Sequence, residues 1–243
     1  MLEHSTRLSH DLKHFVDRLL GKERVHEFSA EQAEFARDTD GGLSLQGVMD
    51  RYKPTVLLGM TAVGGLFKEQ LIKSMAANCE RPIIFPLSNP TVKAECTAEQ
   101  AFEWTNGACI FASGSPFQPV TLNNGNTFFP TQCNNMYVFP GLGLGATVAG
   151  CRTVSDRMLY VAAEALANFV TQDELAQGKV FPHISNIREV SHRVAVAVAE
   201  QAVREGQATK LNASALEDLP KHIANKMYYP EYVPLVEKRE VTI

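Results

Sequence analysis

Short apolar runs alternate with amphipathic segments from about residue 45 onward. The runs at residues 55–59, 82–87 and 108–112 are apolar on both sides, and each ends in polar residues or glycine. Apolar residues at helical spacing predict helices over residues 44–52, 65–78 and 97–106. Buried parallel strands joined by crossover helices give this pattern. We therefore predict an α/β fold of three layers with a mostly parallel sheet.

The second half of the chain is predicted to be mainly helical. Turn-forming residues fill positions 113–126, and apolar residues then recur at helical spacing over residues 156–171, 187–205 and 213–228. We expect Ser185 to cap the helix over 187–205. Near the start of the chain, Leu8, Leu12, Phe15 and Leu19 have the same spacing, which predicts an amphipathic helix over residues 5–20.

Composition and charge exclude several classes of function. The chain has 243 residues, a formal net charge of -4 and a pI near 6.0, which gives no electrostatic reason to expect nucleic acid or an anionic membrane as partner. No apolar run approaches the roughly 20 residues that span a membrane. The five cysteines are scattered and odd in number, without a C-x-x-C pair. We expect reduced thiols and an intracellular protein.

Two asparagine sites adjoin apolar, strand-like runs: Asn89, and the pair Asn134 and Asn135. Burying a side-chain amide without partners costs about 1–3 kcal/mol, so we expect polar partners, and a ligand is one candidate. Asn89 follows the run 82–87, and ligands bind outside the carboxyl ends of strands in open parallel sheets. Two alternatives remain. The asparagine pair forms an Asx-turn in one, and the strand-end loops are tight connections without a ligand in the other.

The run Gly141-Leu-Gly-Leu-Gly-Ala146 matches the dinucleotide fingerprint G-x-G-x-x-A. The acidic residue that should follow about 20 residues later is Glu164, but it lies in the predicted helix over 156–171, where a strand end is required. We therefore interpret the glycines as the start of a helix that packs closely on its neighbour. No histidines at metal-ligand spacing and no nucleophile with an adjacent base are recognisable in the sequence.

Five longer motifs are distinctive enough to indicate a protein family. They are Arg81-Pro-Ile-Ile-Phe-Pro-Leu-Ser-Asn-Pro-Thr-Val-Lys-Ala-Glu-Cys-Thr-Ala-Glu-Gln100, Ile110-Phe-Ala-Ser-Gly-Ser-Pro-Phe-Gln-Pro-Val120, Gln132-Cys-Asn-Asn-Met-Tyr-Val-Phe-Pro-Gly141, Ile187-Arg-Glu-Val-Ser191 and Met227-Tyr-Tyr-Pro-Glu-Tyr232. This order, from about residue 28 to 232, resembles the malic enzymes. The resemblance implies oxidation of L-malate to oxaloacetate by NAD or NADP, followed by decarboxylation to pyruvate and CO₂ with Mg or Mn.

The resemblance also divides the chain. Residues 28–150 are expected to form a partial NAD(P)-binding, Rossmann-like domain with an incomplete sheet. Residues 151–243 are expected to be its C-terminal helical part with an extended tail. Residues 1–27 match none of the quoted motifs and are predicted to be helical.

Individual site residues follow from the same resemblance. Asn89, Asn134 and Asn135 are expected to bind substrate. The residues expected to contact the cofactor are Gly59, Thr61 and Ala62 of the loop 59–65, together with Ser88, Asn135 and Gln32. Gln32 falls where NADP-specific members often have lysine. An amide cannot supply the charge that pairs with a 2′-phosphate, which favours NAD or dual use.

The resemblance places other parts of the chemistry outside the matched region. In the family, the general base, the general acid and the metal ligands lie upstream of every motif quoted above. We therefore expect no catalytic or metal-binding residue in this chain, and no turnover by the chain alone. The missing N-terminal half of the enzyme and further copies of the chain are the expected partners. The alternative is a non-catalytic dinucleotide-binding or assembly module, a truncated homologue.

Overall fold

The computed structural model describes residues 14–15, 18–19, 21–27, 29–34, 36, 38 and 42–230. Contacts between residues divide the chain into two compact units. The first unit extends to Asn135 and includes Phe169–Ile184, and the second contains Met136–Asn168 and the residues from Ser185 onward.

The secondary structure follows the alternation in the sequence. In chain order, the strands are β1 (His14–Phe15), β2 (Arg18–Leu19), β3 (Val56–Gly59), β4 (Ile83–Pro86), β5 (Ile110–Ser113), β6 (Val120–Thr121), β7 (Thr127–Phe128) and β8 (Thr131–Gln132). The α-helices are α1 (Ala30–Glu34), α2 (Leu45–Tyr52), α3 (Glu69–Asn78), α4 (Ala98–Trp104), α5 (Phe139–Ala149), α6 (Asp156–Ala167), α7 (Gln172–Ala176), α8 (Ile187–Arg204), α9 (Ala213–Glu217) and α10 (Leu219–Ala224). The strands predicted at 55–59, 82–87 and 108–112 are present as β3, β4 and β5.

A four-stranded sheet organises the first unit. Its order is β3-β4-β5-β8, and each neighbouring pair is parallel. Leu57, Ile84 and Phe111 are buried in one apolar cluster with Ile72 of α3 and Phe102 of α4. Burying one side chain of this size contributes about 1.5–3 kcal/mol. The predicted α/β fold with a parallel sheet is confirmed, and this core holds the carboxyl ends of the strands side by side.

Side-chain caps begin two of the helices where the sequence predicts them. The Ser44 hydroxyl accepts a hydrogen bond from the Gly47 N–H at 3.1 Å, at the start of α2. At α4, Thr97 and Gln100 form a capping box, in which each side chain accepts from the backbone N–H of the other residue. Such caps contribute about 1 kcal/mol each by satisfying donors that the helix leaves without partners.

Close helix packing characterises the second unit, in which α8 contacts both α5 and α6. A Cβ atom added to Gly141 would lie 2.6 Å from the Ser191 carbonyl oxygen, and one added to Gly145 would lie 2.6 Å from the Ala195 carbonyl oxygen. The backbones of α5 and α8 therefore meet directly at these glycines. The interpretation of the glycine run as the opening of a closely packed helix is confirmed.

The predicted helix over residues 5–20 is wrong where the structure describes it. His14–Phe15 and Arg18–Leu19 are short strands, paired antiparallel with His14 opposite Leu19. Helical spacing of apolar residues predicts a helix only weakly, and contacts with the rest of the protein can override it. Here the backbones of the two short segments pair with each other. The remainder of that prediction lies outside the described residues, as does most of the predicted C-terminal tail.

Several helix boundaries also differ from the prediction, and α3 begins at Glu69 and not at residue 65. The predicted 213–228 helix breaks into α9 and α10 at Asp218, whose side chain accepts from the Lys221 N–H at 3.1 Å and caps α10, with Pro220 in its first turn. The predicted 156–171 helix ends at Ala167, and Thr171 caps the separate helix α7. Asn186, not Ser185, precedes α8, because a 3₁₀ turn over Ile184–Asn186 occupies the expected capping position.

Candidate functional site

The carboxyl ends of β3, β4 and β5 form one edge of the sheet. The backbone N–H of Leu87 donates to the Gly59 carbonyl at 2.7 Å, and the N–H of Gly114 donates to the Pro86 carbonyl at 3.1 Å. The three strand-end loops that the sequence predicts to be functional therefore begin next to one another. In open parallel sheets, this edge is where ligands bind.

Asn89 is oriented by the neighbouring loop. Its Oδ1 accepts a hydrogen bond from the Ser115 hydroxyl at 2.6 Å, while its Nδ2 lies 3.5 Å from the Leu87 carbonyl oxygen, beyond a normal hydrogen bond. Asn89 is exposed, and so is Asn135, whereas Asn134 is half-buried. The expectation of buried amides is therefore wrong for Asn89 and Asn135, because both follow their strands at the rim of the sheet.

Gly114 is the point at which two of the predicted residues approach each other. The Nδ2 of Asn134 donates to the Gly114 carbonyl at 3.3 Å, and the Nε2 of Gln132 donates to the same oxygen at 3.0 Å. A Cβ atom at Gly114 would lie 2.8 Å from Asn89 Nδ2 and would collide with the Leu87 carbonyl oxygen. Only glycine fits here, so Asn89 and Asn134 adjoin the same short segment of backbone.

The other predicted cofactor residues of these loops converge on a buried carboxylate. Glu95 Oε1 accepts from the Thr61 N–H at 2.8 Å, the Thr61 hydroxyl at 2.8 Å and the Ser88 hydroxyl at 2.6 Å. Ser88 Oγ in turn accepts from the Ala62 N–H at 2.8 Å. Burial alone raises the pKa of the Glu95 carboxyl, but the hydrogen bonds from Ser88 and Thr61 outweigh burial and leave the pKa below its usual value.

Glu95 is not among the site residues that the sequence predicts. It lies 34 residues after Thr61 and seven after Ser88, so no local spacing connects them. The available signal is an acidic residue between Ala94 and Cys96, both of which are buried. A charged side chain in such a run requires partners, since burying it alone is costly.

Gln32 stands apart from these loops in the sequence. It lies in α1, and its side chain is outside the described part of the structure. The structure therefore brings together Gly59, Thr61, Ala62, Ser88, Asn89 and Asn134 at the sheet edge, and Asn135 follows Asn134 directly.

Comparison with known proteins identifies the family. Residues 12–203 match the family model described as malic enzyme, NAD binding domain. The chain belongs to the malic enzyme family. The predicted boundary at residue 28 lies inside this match. The match supports the resemblance that the sequence motifs gave.

Individual malic enzymes agree with this assignment. The chain is 46% identical over 222 residues to the NADP-dependent malic enzyme of Dictyostelium discoideum, covering 90% of this chain and 40% of the relative. It is 48% identical over 188 residues to NADP-dependent malic enzyme 2 of Arabidopsis thaliana, covering 77% of this chain and 32% of the relative. The crystal structure of malic enzyme from Pyrococcus horikoshii superposes with a TM-score of 0.64 at 26% identity, covering 86% of this chain and 43% of that one. The chain thus spans two fifths or less of these curated relatives.

The Mg or Mn ion that the resemblance implies has no recognisable set of ligands among the described residues. Within them, no group of three or more His, Cys, Asp or Glu side chains is placed to hold a metal ion. The described residues therefore do not fit Mg or Mn. The structure also leaves all five cysteines free of disulfides. Among the described helices, none has the length and apolar character needed to cross a membrane.

The nicotinamide end of a dinucleotide fits the amide side chains of this edge. The exposed amides Asn89 and Asn135 offer neutral donors and acceptors, which suit a carboxamide or a carboxylate. In the glycine run at 141–146, Gly141 and Gly145 contact α8 and so serve the packing of the two helices. Asn89 lies as an exposed amide at the carboxyl edge of the sheet, and Asn135 is exposed as well.

Proposed function

We propose that this chain forms the NAD(P)-binding and substrate-orienting portion of a malic enzyme, which converts L-malate to pyruvate and CO₂. Membership of the family supports the reaction class. The observation that carries the proposal is the hydrogen bond from Ser115 to Asn89 at the carboxyl edge of the sheet. It fixes an exposed amide at the position where parallel sheets bind ligands.

The asparagine side chains suit the recognition of malate. Because Ser115 occupies Asn89 Oδ1, the Nδ2 hydrogens of Asn89 remain for a carboxylate or carbonyl oxygen of the ligand. Asn134, which donates to the Gly114 carbonyl, and the adjacent Asn135 supply further amide groups. A hydrogen bond to a charged group contributes about 1.5–3 kcal/mol. NAD(P), when bound, would accept the hydride from C2 of malate.

A hybrid enzyme tests this role of Asn135. We suggest replacing the matched part of the Dictyostelium malic enzyme with this chain and measuring malate-dependent NADP reduction in the presence of Mn. Asn135→Ala is expected to weaken transition-state stabilisation by about 1–3 kcal/mol and so to lower kcat/KM roughly 5- to 150-fold, since it removes a polar contact to the ligand. The matched control is Asn123→Ala, which truncates an exposed asparagine in the β6–β7 turn. Equal kinetics of the two variants would refute the role of Asn135.

Cofactor choice is a finer part of the same proposal. The relatives are named NADP-dependent, whereas Gln32 cannot pair its side chain with a 2′-phosphate through charge. We expect Gln32→Lys in the hybrid enzyme to tighten NADP binding by about 1 kcal/mol, roughly fivefold, and to leave NAD binding unchanged. An equal change for both cofactors would show that position 32 does not face the 2′-phosphate.

A second candidate function is that of a non-catalytic dinucleotide-binding or assembly module. It is favoured by the match to a family model that describes an NAD binding domain. Purified chain should then bind NADP without turnover, and addition of the N-terminal part of a malic enzyme should not produce activity. Malate-dependent NADP reduction after mixing would instead support the enzyme, with that part and further copies of the chain as partners.

A further inference from the structure

Glu95 is a completely buried acidic residue, with 0% of its surface exposed. It precedes α4, and its side chain extends beneath β3. A Cβ atom at Gly59 would lie 2.5 Å from Glu95 Cδ and 2.7 Å from its Oε2, so the absence of a side chain at Gly59 creates the space for this carboxylate. A buried charge without partners is strongly unfavourable. The site therefore depends on what surrounds the two oxygens.

Within the described part of the chain, the groups that donate hydrogen bonds to the Glu95 carboxylate are all neutral N–H or O–H groups. Oε1 accepts three hydrogen bonds, two from Thr61 and one from Ser88, and Oε2 accepts a longer one from the Ser88 N–H at 3.4 Å. Four converging donors favour the ionised form of a carboxyl group. The side chain thus joins the loop after β3 to the loop after β4.

The network holds one residue in a conformation that its side chain disfavours. Ala62 has a φ of 57°, in the left-handed region where residues with a Cβ are uncommon. The Ala62 N–H donates to Ser88 Oγ, and Ser88 Oγ donates to Glu95. Thr61 is held on both its N–H and its hydroxyl. The carboxylate therefore stabilises a strained turn. It binds Thr61 directly and reaches Ala62 through the Ser88 hydroxyl.

The residues that adjoin this network face the solvent. Met60 precedes Thr61 and is 73% exposed, and Asn89 follows Ser88 and is also exposed. Their positions are determined by the backbone of their neighbours, which Glu95 holds. Loss of the carboxylate would release both loops at the edge where we propose that the dinucleotide and malate bind.

We propose that Glu95 is a positioning residue of this edge, which holds Thr61, Ala62 and Ser88 so that the exposed residues beside them meet the dinucleotide. It touches neither substrate nor cofactor and acts through the two loops. The ligand-binding part of this inference rests on the proposed function. The arrangement of the loops does not depend on it.

Hydrogen exchange in the purified chain tests the loop arrangement without any ligand. Glu95→Gln keeps the shape of the side chain but leaves one acceptor oxygen in place of two charged ones. We expect the amides of Thr61 and Ala62 to exchange about tenfold faster or more, the factor for loss of a hydrogen bond to a charged group. The amide of Ile72, in the core helix α3, should be unchanged.

The matched control is Glu103→Gln, which neutralises an exposed glutamate on α4. It should leave every one of these amides unchanged. Equal exchange at Thr61 and Ala62 in both variants would overturn the inference. If Glu95→Gln does not fold, Thr61→Val offers a milder change. It removes the hydroxyl that donates to Glu95 and accepts from the Val63 N–H at 3.2 Å, and it should raise exchange at Ala62 to a smaller extent.

Kinetics of the hybrid enzyme test the positioning role. Glu95→Gln should raise the KM for NADP by about tenfold or more and affect kcat less, since the bound dinucleotide restores part of the loop order. A purely structural role would lower the amount of folded enzyme, and hence the apparent kcat, with KM unchanged, which would overturn the positioning role. A wild-type hybrid that does not use NADP would refute the proposed function, while the exchange at Thr61 still decides the inference about Glu95.

Discussion

Replacing Gly145 with alanine probes the closest contact in the second unit. The added Cβ would lie 2.6 Å from the Ala195 carbonyl oxygen, 2.9 Å from Val198 Cβ and 3.1 Å from Ala195 Cα. Ordinary contact begins at 3.4 Å, so α5 and α8 must separate by about 0.8 Å at this point. Two of the three neighbouring atoms belong to the helix backbone, which cannot rotate away as a flexible side chain can.

The cost of this separation is that of overpacking, about 1–3 kcal/mol. Alanine also favours a helix interior over glycine by about 1 kcal/mol, which acts in the opposite direction. Gly143→Ala provides the matched control, because Gly143 lies in the same helix, is exposed, and has no atom within 4 Å of an added Cβ. Since both variants gain the same helix propensity, the difference between them isolates the overpacking. We expect Gly145→Ala to be less stable than Gly143→Ala by about 1–3 kcal/mol.

Urea unfolding followed by circular dichroism measures this difference for the two variants side by side. Equal stability of Gly145→Ala and Gly143→Ala would refute the direct backbone contact between α5 and α8. The same pair also tests the rejected dinucleotide fingerprint. Gly143 is its second glycine, where a phosphate loop needs close approach of the backbone to the pyrophosphate. If Gly143→Ala abolished NADP binding in the hybrid enzyme while remaining folded, the glycine run would be the phosphate loop.

Two further predictions concern the first unit. Gly114→Ala should destabilise the chain by about 1–3 kcal/mol, because its Cβ would collide with backbone. Gly42→Ala is the control, because the space around Gly42 is open and its urea midpoint should change little. Similar midpoints for the two variants would contradict this prediction. Burial raises the pKa of the Cys96 thiol and raises that of Cys109 to about 11. At pH 8 only about a thousandth of the Cys109 thiol is ionised, so iodoacetamide should modify both cysteines far more slowly in folded than in urea-unfolded protein, as mass spectrometry would detect. Equal rates would show that these thiols are accessible.

The sheet and the position of Asn89 at its carboxyl edge could be predicted from the sequence. Apolar runs of strand length are separated by helical spacing, and only a parallel sheet accommodates that order. Asn89 then belongs at a carboxyl end by topology alone. The terminal segment was less predictable, because the spacing of Phe15 and Leu19 is compatible with a helix, whereas the structure pairs their backbone in two short strands. Spacing reports which side chains share a face and does not report which backbone groups find partners.

Burial at the site could not be predicted for the same reason. Asn89 adjoins a buried strand in sequence but lies beyond its end, where the amide is exposed. Glu95 precedes α4 in the sequence but is fully buried. Its partners are Thr61, in the loop after β3, and Ser88, in the same β4–α4 connection as Glu95, so their meeting depends on how β3 and β4 are paired. The register aligns Gly59 with Pro86 and so brings both loops within reach of one carboxylate.

The polar groups of the edge consequently divide into two sets with different expected behaviour. The hydroxyls of Thr61 and Ser88 are directed to Glu95, so their polar atoms are already satisfied within the protein. The amides of Asn89 and Asn135 are exposed. Under the proposed function they hydrogen-bond to a ligand, which ordinary surface residues do not. Changes in the first set should alter loop exchange in the absence of ligand, because they remove internal hydrogen bonds. Changes at Asn135 should alter kcat/KM and leave exchange at Thr61 unaffected. A change at Asn135 that accelerated exchange at Thr61 would show that the two sets form one structure and are not separate layers of orientation and recognition.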